Sequence, residues 1–192
     1  MENAAKTAPA LLRGGQPWPL SVAAYRTLGE AGLLPKNTEL LHGFVYTKMS
    51  KSPLHSFLVL RLLRLMADAV AEGLLVRSEQ PLSFPDSEPE PDISIVQGTE
   101  LDYVEDHPHS ADLVVEVSVT SHEFDRSKLR AYATAGVKEC WLVLAPEQRI
   151  EIYRKPEAGA YLERIVHEAG DIVTSPVLSG LRLSVSELFA RR

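Results

Sequence analysis

The middle of the chain alternates strand patterns with one helix pattern, and this alternation limits the fold more than any other feature. Residues 91–96 and 112–119 are short runs rich in β-branched residues. The second run is almost continuously apolar, as expected of a strand that is buried on both faces. An amphipathic helix extending to Ala135 follows, and residues 138–145 form another apolar run. Two buried strands joined by a helix predict a mixed α/β sheet with helices packed on it.

Further elements flank this core, and their periodicity predicts two more helices, a closing helix and several strands. Ser21 is a candidate N-cap, and Gly73 is a candidate stop signal. Thr120 and Glu123 have the spacing of a capping box before the central helix. The additional helices are predicted at residues 21–29, 54–72 and 183–190. Additional strands are predicted as a hairpin at 38–49, a strand at 74–84 and an antiparallel meander at 149–153, 161–167 and 172–174. The expected fold class is therefore α/β (α+β), with an N-terminal hairpin and C-terminal antiparallel strands.

Composition favours one packed domain in a reducing compartment. The 192 residues, 45% of them hydrophobic, suit a single domain at 18–192 after a flexible tail at 1–17. The single cysteine, Cys140, excludes an internal disulfide framework, and its apolar surroundings favour a core residue over a nucleophile. The first residues lack a signal-peptide pattern, and the apolar helix at 54–70 is interrupted by charges, so we expect a cytoplasmic protein without a membrane partner.

Two carboxylates occupy positions where strands normally carry apolar side chains. Asp92 follows a proline in E-P-D-I-S-I-V, and Glu116 lies inside D-L-V-V-E-V-S. An unpaired carboxylate is costly to bury, so Glu116 is the less ordinary of the two, whereas Asp92 also suits a turn. Carboxylates on adjacent strands, with the carbonyl of Val117 as a further ligand, supply the minimum that Mg²⁺ requires. They predict a site for Mg²⁺ or Mn²⁺.

One lysine follows these carboxylates and completes a candidate catalytic set. Lys128 lies in the central helix, twelve residues after Glu116. A lysine beside a metal site orients the attacking water and offsets charge in the transition state. The alternative for Lys128 is an ordinary solvated helix residue. We therefore predict Asp92, Glu116 and Lys128 as catalytic residues, with Asp92, Glu116 and Val117 as metal ligands.

The order of these motifs resembles the Uma2 family, a domain of unknown function within the PD-(D/E)XK nuclease superfamily. The motifs that support this resemblance are the proline–aspartate pair, E-V-S, K-x-x-x-Y-A-x-A-G-V and a following W-L-V. T-E-L-L-H-G-F-V-Y, S-P-L-H-S and V-L-S-G-L-R-L-S-V-S-E-L-F are also similar to family segments. The likeness covers about residues 20–190. It implies a restriction-endonuclease-like sheet and a metal-dependent nuclease, with Mg²⁺ or Mn²⁺ as cofactor.

The resemblance also assigns residues and shows where this chain departs from the superfamily pattern. Asp92 and Glu116 match the two acidic ligands, but Ser118 stands where the superfamily usually has its lysine. In Uma2-like sequences that lysine is on the next helix, at Lys128 here. His55, Gln80 and Glu39 match recurrent polar positions, and we expect them to support the metal ligands or touch substrate; structural hydrogen bonding is the alternative. The spacing from Asp125 to Lys128 is one residue tighter than in many such sequences.

Three functions remain open from the sequence. The leading hypothesis is an endonuclease that hydrolyses DNA phosphodiester bonds with a bound metal. The second is a non-catalytic nuclease-fold module for binding or assembly, which the net charge of −6 and the lack of a basic stripe favour. The third is a hydrolase of another phosphate compound, such as a nucleotide. A homodimer is also predicted, since the apolar strands after Leu142 provide a sheet edge that needs cover.

Overall fold

A computed structural model describes residues 17–190 as a six-stranded mixed sheet with helices on both faces and two small two-stranded sheets. The helices are α1 (Val22–Glu30), α2 (Pro53–Ala69), α3 (His122–Thr134) and α4 (Val185–Phe189), with a 3₁₀ helix at Glu100–Tyr103. The strands of the large sheet are β3 (Leu74–Ser78), β4 (Ile93–Gln97), β5 (Leu113–Ser118), β6 (Glu139–Leu144), β7 (Arg149–Glu157) and β8 (Ala160–His167). The small sheets pair β1 (Thr38–Leu41) with β2 (Phe44–Thr47), and β9 (Ile172–Val173) with β10 (Leu183–Ser184). The predicted α/β class, with a mixed sheet flanked by helices, is confirmed, while the tail predicted at 1–17 lies almost entirely outside the described residues.

The large sheet is antiparallel except at its centre. Its strands follow the order β3-β4-β5-β6-β7-β8, and only β5 and β6 are parallel. Parallel neighbours require a crossover connection, and α3 supplies it. All residues of β5 and β6 are buried, as their apolar patterns predicted. The chain from β5 through α3 to β6 is therefore the centre of the fold.

Alternate residues of the sheet face two separate cores. On one face, α2 packs with Val115, Val117 and Trp141 in the larger hydrophobic cluster. On the other face, Tyr132 of α3 packs with Leu142 in the second cluster. Because strand side chains alternate between faces, Glu116 points towards α3 while its neighbours on either side point towards α2.

Several predicted boundaries were wrong, each for a local reason. The strand predicted at 74–84 ends at Ser78, because Glu79 has a positive φ of 54° that leaves the extended conformation. Ile172–Val173 pairs with Leu183–Ser184 and so does not extend the meander of β7 and β8. The segment predicted as a closing helix at 183–190 begins with that strand, and α4 starts only at Val185. The predicted turn between β7 and β8 at Ala158 and Gly159 is present, with positive φ at both residues.

The N-terminal hairpin lies apart from the large sheet. A single bridge between Leu40 and Glu88 ties β1 to the segment before β4. At the hairpin turn, Gly43 has a φ of 80°, and a Cβ there would clash with Pro19. All four residues of β1 are buried, so the hairpin is held by packing rather than by strand pairing with the large sheet.

Cys140 is a fully buried residue of the second core, as predicted. Burial raises the pKa of its thiol well above the usual range, which opposes formation of a nucleophilic thiolate. Across residues 17–190, none of the helices has the length and apolar character needed to cross a membrane.

A buried carboxylate joins the outer strands to α3. The side chain of Glu151 is fully buried on β7 and contacts three arginines: Arg126, Arg149 and Arg164. Burial opposes ionisation of Glu151, but the hydrogen bonds from Arg126, Arg164 and Tyr153 outweigh it, and the pKa of this carboxyl falls well below its usual value. We refer to Glu151 and these three arginines as the arginine cluster.

The arginine cluster predicts a specific loss of stability in acid. A carboxyl whose pKa is lower in the folded state contributes stability above its unfolded pKa, near 4.5, and loses it as the pH falls through the folded value. Glu151→Gln should lower the free energy of unfolding at pH 7 by about 2–3 kcal/mol, the value of hydrogen bonds to a charged group. The difference from the native chain should shrink below about pH 4.5. Urea unfolding across pH 3–8 measures this difference in free energy of unfolding, and the exposed Glu157→Gln is the control. If the stability lost in Glu151→Gln did not change with pH, the lowered pKa assigned to Glu151 would be contradicted.

Candidate active site

Asp92 and Glu116 lie side by side on the face of the sheet that α3 covers. Ile93 pairs with Val115, so the antiparallel register places Asp92 opposite Glu116, one step beyond the last paired residues. Both side chains are buried, with 8% and 3% of each residue exposed. The N–H of Val117 donates to Oδ2 of Asp92 over 2.7 Å, which fixes the aspartate against β5. The two carboxylates predicted from the sequence are thus brought together.

Lys128 reaches this pair from α3, as the sequence predicted. Its Nζ lies 3.2 Å from Oε1 of Glu116 and 3.1 Å from Oε1 of Glu39, which comes from the N-terminal hairpin. Only 4% of Lys128 is exposed, so it is not an ordinary solvated helix residue. The ammonium is therefore enclosed between two buried carboxylates from different parts of the chain.

Tyr132 adds a contact that the sequence reasoning did not assign. It lies four residues after Lys128, on the same side of α3, and its hydroxyl donates to Oε1 of Glu116 over 2.5 Å. The four-residue step from Lys128 to Tyr132 was visible in the sequence and was the available signal. Oε1 of Glu116 thus accepts a hydrogen bond from the Tyr132 hydroxyl and also lies next to the Lys128 ammonium.

Burial and charge set the protonation of this group. Burial raises the pKa of Glu116 well above its usual value, and nearby Asp92 adds to this, while Lys128 opposes it. For Lys128, burial alone favours the neutral amine, but Glu116 and Glu39 outweigh it and raise its pKa above the usual value. Lys128 is therefore held as a cation, a state suited to stabilising negative charge rather than to accepting a proton.

His55 supports Asp92 from the other side. Its Nε2 lies 3.1 Å from Asp92 Oδ2, near the start of α2. Ser52 caps that helix by accepting from the N–H of His55, so the helix start positions the imidazole. Nδ1 of His55 is shielded and has no hydrogen-bond partner among residues 17–190. His55 thus contacts Asp92, one of the predicted metal ligands, and its supporting role stays a prediction.

Asp125 also faces the site, although the sequence reasoning did not include it. It is buried at 6% exposure, and Ser121 donates to its Oδ2 over 2.6 Å. The predicted capping box was wrong: Ser121, not Thr120, is the N-cap, and its hydroxyl goes to Asp125 instead of the helix backbone. The spacing of three residues to Lys128, which puts both on one side of a helix, could have identified Asp125.

All of these site residues except Tyr132 line a cleft of about 150 Å³. Its walls carry twice as many acidic side chains as basic ones. The acidic residues are Glu39, Glu79, Glu90, Asp92, Glu116 and Asp125; the basic ones are Lys48, Lys51 and Lys128. Val117 also lines it, whereas Gln80 lies outside, where it is exposed and accepts a hydrogen bond from Arg77. The excess of acidic groups favours a cation in the cleft over a bare anion.

The donor set suits a hard divalent cation that keeps most of its water. Within residues 17–190, His, Cys, Asp and Glu side chains nowhere form a group of three or more placed to hold a metal. Mg²⁺ commonly uses only one or two carboxylates, with water and substrate phosphate as the other ligands. Lys128 and Tyr132 both contact Oε1 of Glu116, and neither is recorded on its Oε2. Asp92 and Glu116 therefore fit Mg²⁺ or Mn²⁺ as a two-carboxylate site.

Comparisons with known proteins agree with this fold. A crystal structure of a "putative nuclease belonging to DUF820" from Anabaena variabilis is similar, with a TM-score of 0.75 and 21% sequence identity. The similarity covers 89% of this chain and 98% of that one. The comparison with curated proteins gives no significant match. The Uma2 family model, described as "Putative restriction endonuclease", matches residues 33–186. That match spans more than half of the chain, which therefore belongs to the Uma2 family.

Proposed function

We propose that this protein is a metal-dependent endonuclease that hydrolyses DNA phosphodiester bonds. One observation carries the proposal: Asp92 and Glu116 meet on one sheet face of a nuclease-like fold, with Lys128 directed at Glu116. Family membership and the fold support a nuclease, while the metal and the reaction are inferences from the chemistry of the cleft.

Each residue of the cleft has a distinct task in this proposal. Asp92 and Glu116 hold the cation, which when bound lowers the pKa of its water and neutralises charge on the phosphate. The cationic Lys128 orients the attacking water and stabilises the charge that develops on the phosphoryl oxygens. His55 and the N–H of Val117 fix the carboxylate of Asp92, so that the ligand does not need to reorganise during the reaction.

The same geometry also favours a second candidate, a non-catalytic binding or assembly module. Lys128 already lies between Glu116 and Glu39, so the chain's own ammonium offsets part of the negative charge of the cleft without a metal. In a module of this kind the buried carboxylates and lysine serve as a structural ion pair. Isothermal titration separates the two functions: the enzyme binds Mn²⁺ at millimolar concentration or below, and the module gives no heat of binding.

Cleavage of supercoiled plasmid tests the enzymatic function. The protein with Mg²⁺ or Mn²⁺ should relax and linearise the plasmid, and EDTA should stop it. Asp92→Asn should reduce the rate on the order of 100-fold, because it removes the charge of one ligand but keeps an acceptor for the Val117 N–H.

The matched control is Asp68→Asn, an exposed aspartate on α2 outside the cleft, which should leave the rate unchanged. Thermal unfolding of both variants excludes a loss of folding. Undiminished cleavage by Asp92→Asn would reject the metal-ligand assignment, and absent cleavage together with absent Mn²⁺ binding would leave the non-catalytic module.

A further inference from the structure

Glu151 collects more hydrogen-bond donors than a carboxylate needs. Arg126 contacts both of its oxygens at 2.6 and 2.8 Å, and Tyr153 donates over 2.6 Å. Arg164 adds contacts at 2.7 and 3.2 Å, and Arg149 adds one at 3.2 Å. A carboxylate offers about four lone-pair directions, so six donors exceed its capacity.

The arginine cluster also carries more positive charge than Glu151 can neutralise. Three arginines face one glutamate, which leaves an excess of two positive charges in the arginine cluster. Arg126 and Tyr153 together satisfy Glu151, so a purely structural clamp needs neither Arg149 nor Arg164. The side chains of Arg149 and Arg164 remain 31% and 50% exposed, so their charge is available to a ligand.

The arginine cluster lies on the same sheet face as the cleft. Glu116 pairs with Leu142, and Leu142 pairs with Glu151, so the two glutamates occupy one row across β5, β6 and β7. Two strand spacings separate their backbones, about 10 Å, and Leu142 between them is fully buried against α3, so α3 covers the row between the cleft and the arginine cluster. Arg149 also lies in the row that contains Ser118, where β5 leaves the sheet towards the cleft-lining residue Val119.

A phosphodiester chain that extends beyond the cleft has the negative charge to bind this cluster. Arginine binds phosphate oxygens through its paired N–H groups. The cleft itself is acidic and repels phosphates unless a cation is present, which makes a separate basic contact necessary for holding DNA.

We propose that Arg149 and Arg164, anchored with Arg126 on Glu151, bind the DNA backbone outside the cleft. This inference rests on the proposed function, since it takes DNA as the substrate. Arg126 and Glu151 act as positioning residues. Arg149 and Arg164, each with a hydrogen bond of 3.2 Å to Glu151, make the phosphate contacts. Such contacts provide affinity without reading the base sequence.

Metal-free binding of a fluorescently labelled 30-base-pair duplex tests this site separately from catalysis. Fluorescence anisotropy in EDTA gives Kd at several salt concentrations between 50 and 200 mM. The double variant Arg149→Ala with Arg164→Ala should raise Kd on the order of 10-fold and reduce the slope of log Kd against log salt by about 2, because each lost phosphate contact removes about 0.9 from it. Arg164→Ala alone, which leaves Glu151 paired with Arg126, should reduce the slope by about 1.

The control removes the same charge elsewhere. Arg64→Ala with Arg182→Ala replaces two exposed arginines that form no ion pair with another described residue, and it should leave the slope unchanged. Equal effects of both double variants, or no binding of the duplex by the native chain at 50 mM salt, would overturn the proposal. Arginine-dependent binding without any cleavage would instead reject only the proposed catalysis, and cleavage with arginine-independent binding would reject only this site.

Discussion

Replacing Lys128 with methionine is expected to lower the free energy of unfolding by about 3–5 kcal/mol, the usual cost of removing one partner from a buried ion pair. The variant keeps the length of the side chain but leaves Glu39 and Glu116 without their shared ammonium. Both glutamates are almost fully buried, at 1% and 3% exposure, so water does not replace the lost charge. Urea unfolding at pH 7 in EDTA, compared with the native chain, measures the loss.

The pH dependence of this loss follows from the raised pKa of Glu116. A carboxyl whose pKa is higher in the folded state binds protons on folding, so its contribution to stability declines as the pH rises above its unfolded value of about 4.5. Removing Lys128 raises that pKa further, because Lys128 is the charge that opposes the effect of burial. The deficit of Lys128→Met should therefore be smaller at pH 5 than at pH 8.

A double-mutant cycle identifies the pair responsible. Adding Glu116→Gln to Lys128→Met removes one of the two unpaired charges and should recover part of the stability. Lys138→Met, which replaces an exposed lysine paired with Asp112 at the surface, is the control and should cost less than about 1 kcal/mol. A loss for Lys128→Met no larger than that of the control would show that the buried network contributes little.

Glu116→Gln alone is expected to separate activity from stability. Glutamine keeps an oxygen that accepts from Tyr132, and Lys128 keeps its contact with Glu39, so the free energy of unfolding should change by less than about 1.5 kcal/mol. Cleavage of plasmid DNA should fall on the order of 1,000-fold. This substitution neutralises a metal ligand and also releases Lys128 from one of its two anchors, and so disturbs both of the proposed charge-stabilising groups.

Single-turnover cleavage rates at saturating Mn²⁺ measure this effect, and titration calorimetry on the same variant reports whether the cation still binds. The exposed Glu157→Gln serves as the control of equal charge change. Cleavage by Glu116→Gln within about tenfold of the native rate would show that the carboxylate is structural, since a lost ligand of this kind is worth several kcal/mol.

The centre of the fold was predictable because its signals are local. The apolar runs of β5 and β6 and the helix between them are contiguous in the chain, so periodicity alone indicated the strand–helix–strand order. The approach of Lys128 to Glu116 was predictable for the same reason, since both belong to that unit. Asp92 and Glu116 lie opposite each other because of an antiparallel register that the sequence did not specify. Their unusual positions in apolar strands nevertheless indicated that the two carboxylates belong to one site.

The rest depended on contacts between distant segments. Glu39 and Lys128 meet although 89 positions separate them, and only family resemblance had pointed to Glu39. The arginines around Glu151 come from α3, β7 and β8, so no basic stripe was visible in the sequence. The pairing of Ile172–Val173 with Leu183–Ser184 involves two residues per strand, too few to give a periodic signal.

The position of Glu39 makes the cleft dependent on the docking of the N-terminal hairpin. Glu116 and Lys128 come from one continuous unit, whereas Glu39 belongs to a separate two-stranded sheet that is held by the packing of β1 and by hydrogen bonds to residues 86–90. Each opening of the hairpin leaves Lys128 with Glu116 as its remaining close carboxylate and exposes one wall of the cleft. A complete site thus requires the hairpin to be docked as well as the sheet that carries the carboxylates to be folded.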